Sequence, residues 1–241
     1  MSTAGKLSTA ASEKGKFLTK TYAWMSLALI LSAVSAWYGA TSPFILTLLW
    51  GNPLGSRTAG FIILAFVELA LVWGLSALIR KISPAAAVFM FALYSVINGL
   101  TLSSVFLVFS ISSIGWCFLS AAGMFLIMSI YGLTTKQSLA RAGHYLMMAL
   151  VGVIVVSIVN FIITRITGES VSYIDWLISI ATVVIFTGLT AFDSQKILAA
   201  AERADSGEAY RKIAVIGALE LYLDFINIFL ALLRLFGKSR D

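Results

Sequence analysis

The sequence predicts an all-α, polytopic membrane protein with seven transmembrane helices, the seventh central in the bundle, on three observations. Seven apolar runs each approach the roughly 20 residues that a helix needs to cross the hydrocarbon layer. Apolar residues make up 60% of the 241-residue chain and charged residues only 12%, with a mean hydropathy of +0.96, a balance foreign to soluble domains. In the last run, Glu220, Asp224, Asn227 and Arg234 are spaced by four, three and seven residues. At about 100° per residue they share one stripe roughly 80° wide. Lipid cannot face such a stripe, so this helix is expected against or within the others.

Residues Met1 to Lys20 are polar and read as a cytosolic amino-terminal segment. The run Thr21 to Ala40 exceeds the roughly 7–15 apolar residues of a signal peptide and has Tyr22, Trp24, Trp37 and Tyr38 at its ends, as interfacial anchors would be. A loop, Thr41 to Thr58, follows. The next runs are Ala59 to Ile79, Pro84 to Phe109, Ser113 to Tyr131, Tyr145 to Thr164, Ile174 to Asp193 or beyond, and Ile213 to Phe236. Residues 21–237 thus form one seven-helix domain, with 238–241 as a short tail. The connection Ala201 to Lys212 reads as solvated; its Asp205 and Glu208 do not follow the alternating ligand pattern of a calcium loop.

Lysine and arginine set the orientation. With the amino terminus cytosolic, the inner segments hold Lys6, Lys14, Lys16, Lys20, Arg80, Lys81, Lys136, Arg141, Lys196, Arg203, Arg211 and Lys212. The outer ones hold Arg57, Arg165, Lys238 and Arg240. This bias places the amino terminus inside, and seven crossings place the carboxyl terminus outside. Lys238 and Arg240 favour the cytosol, so a seventh segment that dips in and returns is the competing topology.

The formal charge of +6 belongs to these short connections and does not point to nucleic acid. Cys117 is the only cysteine and lies in an apolar run, and His144 is the only histidine. A disulfide and a zinc site are therefore not expected, and His144 reads as an interfacial polar residue. Short loops and the lack of an N-x-S/T sequon suit a bacterial inner membrane.

Ionisable residues within apolar runs are the candidates for function, because insertion scales assign each a cost of roughly 2.5–3.5 kcal/mol at the bilayer centre. They are Glu68 in AFVELALVW, Asp193, Glu220, Asp224 and Arg234. Two carboxylates held together in a low-dielectric setting share a proton, and when deprotonated they suit a hard cation such as calcium. At 1.5 Å per residue, Asp193 lies roughly 5 Å and Asp224 roughly 16 Å from the cytosolic interface, so their meeting needs a tilted or projecting helix. Glu220, one turn from Asp224, either brings a cation toward it or pairs with Arg211 or Lys212. Asn98 and Asn227 are candidate oxygens along an ion path, with helix packing as the plainer role.

The pairing of AFDSQKI with ALELYLDFINIFLALLRLFG resembles the Bax inhibitor (TMBIM) family of multispanning proteins. FLTKTYAWM in the first run and INGLTLSS in the third extend the likeness over most of the chain. The resemblance implies a pH-sensing, calcium-binding dyad of Asp193 and Asp224. It also implies a gating latch between Glu68 and Arg234, against which stands simple snorkelling of Arg234 to the interface. The implied function is a pH-sensitive calcium leak without an organic cofactor. The close variant is a proton/calcium exchanger, and the alternative of another class is a partner-binding protein that modulates a membrane-bound protease or a stress response. No enzyme is expected: His144 is the one available histidine base and no G-x-S-x-G elbow exists, while the two aspartates lack the glycine-flanked context of aspartyl proteases.

Overall fold

A computed structural model describes residues 3–50, 59–79, 81–168, 172–203 and 207–240, with the side chains of 3–13, 50, 59–62, 165, 203 and 209 left aside. Arg57, Arg80 and Asp205 lie outside the described residues. Among the described residues eight helices follow one another: α1 (Thr3–Thr41), α2 (Pro43–Trp50), α3 (Ala59–Leu78), α4 (Pro84–Val108), α5 (Ile111–Thr134), α6 (Ala140–Thr167), α7 (Ser172–Arg203) and α8 (Glu208–Phe236). Among the described residues, six helices are long and apolar enough to cross a membrane: α1 from Lys14, α4, α5, α6, α7 and α8. The described apolar stretch of α3, Ile63–Leu78, is shorter.

Two features depart from expectation. The segment after Thr41 is not all loop, since its first half forms α2. Pro43 supplies a fixed helical φ at the first position, where a missing N–H costs nothing, and Leu46 N–H bonds Ser42 C=O at 3.0 Å. Leu49 then buries its side chain to 2% exposure. The amino-terminal polar segment is likewise helical, continuous with the first span. Elsewhere local chemistry sets the ends. Ser83 and Ser110 cap α4 and α5, their hydroxyls accepting from Ala86 N–H at 3.2 Å and Ser113 N–H at 3.4 Å. Gly168 ends α6 at φ 74°, a left-handed conformation that favours glycine.

The chain forms two compact units, 1–109 with 197–222 and Arg240, and 110–196 with 223–239 and Asp241. In the first, α1 packs along α4, and α3 joins α4 and α2. The approach of α1 to α4 depends on Gly99, where a Cβ would collide with the Ser32 carbonyl oxygen and the Ser35 side chain. Phe17 is fully buried and meets the Tyr210 ring edge-on, centroids 4.8 Å apart. Lys14 Nζ lies 2.6 Å from Glu202 Oε1, tying the foot of α1 to the end of α7.

In the second unit, Phe118 and Phe125 of α5 meet Phe225 of α8 edge-on at 5.1 and 5.8 Å. Gly132 of α5 lets the Ala191 backbone of α7 approach, and the hydroxyls of Ser129 and Ser194 bond at 3.0 Å. Helix α6 touches α7 through Gly143 against the Phe192 ring and Leu146 against Gly188. The side chain of Gln195 bridges to the α5–α6 turn, accepting from Leu139 N–H and donating to Gln137 C=O, both at 2.8 Å. The tail is also held. Ser110 N–H donates to Lys238 C=O at 3.1 Å, and Lys238 N–H donates to the Ser113 hydroxyl at 3.0 Å.

Candidate functional site

Helix α8 is the most enclosed span. Two-thirds of its most apolar window (67%) is buried, against at most 39% for the other five. Its least enclosed line is Ile216, Glu220, Leu223, Asn227, Leu230 and Arg234, with every residue between Ala214 and Leu233 off this line buried. Three of the four polar residues predicted to share a stripe therefore sit on the accessible line of an otherwise buried helix. The fourth, Asp224, is buried beside it at 3% exposure. In a membrane, a partly accessible line of carboxylate, amide and guanidinium is compatible with water and not with lipid chains.

Asp193 and Asp224 both belong to the second unit. Asp193 sits in α7, which runs unbroken past it to Arg203, and its carboxylate is 13% exposed with Lys196 Nζ at 3.8 Å. Asn227 donates its amide to Leu223 C=O of its own helix at 2.8 Å. Glu220 is half-buried, and Arg234 is exposed. Among the described residues no three of His, Cys, Asp or Glu gather as a metal-ligand set. His144 is exposed, and Cys117 is buried, its thiol 3.8 Å from Leu232 C=O.

Glu68 and Asn98 meet in the first unit. Asn98 donates its amide to one carboxylate oxygen of Glu68 at 3.2 Å, and the Thr101 hydroxyl donates to the other. Asn98 Oδ1 in turn accepts from the Tyr222 hydroxyl at 2.8 Å. That hydroxyl lies 2.7 Å from Ser32 Oγ, which also reaches Ser95 C=O at 2.8 Å. One chain of hydrogen bonds thus links α3, α4, α8 and α1. Tyr222 is completely buried, its ring flanked edge-on by Phe91 and Tyr94 with centroids at 5.8 Å. The predicted latch partner Arg234 belongs to the other unit.

Sequence reasoning passed over Tyr222 and Ser32. The available signal was position: tyrosine favours membrane interfaces, and Tyr222 stands mid-span, between Glu220 and Asp224. Its offset of about 200° from Glu220 puts it on the opposite face from the polar stripe.

Comparison with known proteins places the chain among membrane proteins. Residues 14–241 match the family described as "Inhibitor of apoptosis-promoting Bax1". The chain is 43% identical over 227 residues to the inner membrane protein YbhL of Escherichia coli K12, an alignment covering 93% of this chain and 92% of that one. It is 41% identical over 229 residues to a protein of Borreliella burgdorferi, covering 95% and 94%. A membrane protein of Streptococcus pyogenes serotype M1 is 36% identical over 227 residues, covering 93% of both. With its apolar helices and this likeness along nearly its whole length, the chain is an integral membrane protein of the Bax inhibitor family.

Proposed function

We propose that the protein is a pH-sensitive cation leak, chiefly for calcium, in a bacterial inner membrane, gated by Asp193 and Asp224. The observation that carries this reading is the polar accessible line of α8 with Asp224 buried at its side. A line of Glu220 and Asn227 oxygens along a helix enclosed on its other faces offers successive stations to a partly dehydrated cation. Two carboxylates with water completing the shell hold a hard cation loosely enough to release it. Protons compete for the same oxygens, which couples flux to pH. Transport rather than catalysis is the expected activity.

The same reading has seven crossings, with α3 as the second and the amino terminus cytosolic. Two ties support the crossings, though not which side is cytosolic. The Lys14–Glu202 ion pair puts the start of α1 and the end of α7 on one side. The bonds from Lys238 to Ser110 and Ser113 put the end of α8 beside the α4–α5 turn. Three crossings precede that turn and seven precede the tail, so both fall on the outer side. A re-entrant α8 would return the tail to the inner side.

The test is calcium entry into dye-loaded liposomes across pH about 5 to 8, comparing wild type with Asp193→Asn and Asp224→Asn. A pH-dependent flux whose midpoint shifts or disappears in both variants is expected. Inserted, folded protein without flux would sink the leak. Uptake that proceeds only against an imposed proton gradient would replace it with exchange.

A further inference from the structure

Within the second unit, the residues on either side of Asp193 are gripped one by one. Ala191 is buried with its backbone against α5, where Gly132 has no Cβ to stand in the way. The Phe192 ring lies over Gly143 of α6, where a Cβ would strike it. Ser194, fully buried, bonds the Ser129 hydroxyl of α5 at 3.0 Å. Gln195 docks on the α5–α6 turn through both ends of its amide. Asp193 sits in the middle of this segment. At about 100° per residue, Ala191 and Gln195 lie about 40° apart around the helix and Asp193 about 160° from each. Its carboxylate therefore leaves α7 on the side opposite the grip.

Among these contacts Gln195 is the directional one. In an extended chain the C=O before a residue and the N–H after it point to the same side. Gln137 C=O and Leu139 N–H flank Ser138 in this way, and the Gln195 amide donates to the first and accepts from the second, both at 2.8 Å. A primary amide carries donor and acceptor side by side, whereas a carboxylate accepts only. The turn is shaped to receive it: the Thr135 and Ser138 hydroxyl oxygens accept from Gln137 N–H at 3.3 Å and Ala140 N–H at 3.4 Å. Leu139, which opens α6, makes no side-chain cap bond of its own.

We propose that Gln195 is a positioning residue for the di-aspartyl site: by docking on the α5–α6 turn it fixes the rotation of α7, and with it the pH at which Asp193 takes up its proton. The inference rests on the reading of Asp193 and Asp224 as the sensor and adds the element that tunes it. Repulsion between two carboxylates varies with their separation and with the local dielectric, so an α7 free to turn has a different midpoint. The charged and titratable groups of this part of the unit are Lys196 on α7 at 3.8 Å from Asp193, Lys136 in the turn, Arg141 and His144 at the start of α6, and Asp224 and Arg234 on α8. Helix α5 carries no charged residue. A neutral substitution at Gln195 alters none of these charges, so a moved midpoint reports position.

The experiment records two curves for the full chain, calcium flux into liposomes against pH and, in detergent without calcium, Tm against pH. The variants are Gln195→Met, which is neutral, of similar length and without either bond; Gln195→Asn, which keeps the amide on a shorter stem; and Ser110→Ala, which removes the cap at the other end of α5. Each is repeated in an Asp193→Asn background. The Tm difference that Asp193→Asn makes at each pH locates the titration of Asp193 without any flux. Gln195→Met should move both midpoints the same way by at least about half a pH unit, about threefold in proton affinity. Gln195→Asn should move them less. Ser110→Ala should lower Tm at every pH and move neither, and in the Asp193→Asn background Gln195→Met should leave both curve shapes unchanged. Wild-type midpoints in Gln195→Met, or in Gln195→Asn should the former not fold, would overturn the proposal. An equal shift from Ser110→Ala, a shift that persists without Asp193, or a Tm difference flat from pH about 5 to 8 would do the same. Absence of flux from wild type would sink the leak alone, and the Tm curves would still decide the role of Gln195.

Discussion

The Tyr222 hydroxyl touches both Asn98 and Ser32 at the centre of the first unit, so its removal strands partners on two other helices. Tyr222→Phe keeps the ring between Phe91 and Tyr94 and deletes only those bonds. Interhelical hydrogen bonds in membranes contribute on average about 0.6 and at most about 1.7 kcal/mol. The expected loss is therefore roughly 1 kcal/mol, or about 2–4 °C in Tm for a chain of this length, measured by thermal unfolding in detergent. An unchanged Tm would mean that water takes over the hydroxyl's role. Single residues were unevenly legible in the sequence. Glu68, Asp193 and Asp224 stood out because charge in an apolar run is conspicuous. Tyr222 and Ser32 did not, since one looks like an anchor and the other like packing until their partners from distant segments arrive. The partnership of Asn98 with Glu68 was hidden for the same reason: the two are 30 positions apart and on different helices.

Among the elements, six of the seven spans expected from hydropathy are helices of membrane length among the described residues, but the caps of α4 and α5 went unread and α2 was missed. Eight residues are too few to show helical periodicity in a segment that is apolar almost throughout. The line of Glu220, Asn227 and Arg234 on α8 was placed by spacing alone, with Asp224 buried beside it. The partial exposure of that line was not, because periodicity shows which residues share a face and not what that face meets. Close helix approaches were equally invisible, and they yield a contrast. At Gly132 a Cβ would run into the Ala191 backbone, whereas at Gly123 of the same helix nothing lies within 4 Å. Gly132→Ala should lower stability by roughly 1–3 kcal/mol through overpacking. Gly123→Ala should be neutral or gain up to about 1 kcal/mol from helix propensity. Folded yield and thermal unfolding of the two variants, side by side, provide the check.

At the scale of the whole molecule, charge bias along the sequence predicts the orientation, while the Lys14–Glu202 pair and the tail contacts bear only on which ends lie together. In a Cys117→Ala background, a membrane-impermeant maleimide applied to spheroplasts should label Thr167→Cys and Lys238→Cys and leave Gly15→Cys unlabelled until the cells are opened. Labelling of Gly15→Cys from outside would invert the topology, and protection of Lys238→Cys would favour a re-entrant α8. The clamp of Gln195 on the α5–α6 turn has a consequence for how motion could be observed. Because the Leu139 N–H is bonded to a side chain two residues beyond Asp193, its deuterium uptake is a spectroscopic proxy for the placement of α7. Any step that shifts or rotates α7 around Asp193 has to release that amide, and its exchange clock would then tick faster without a probe ever being attached near the carboxylate.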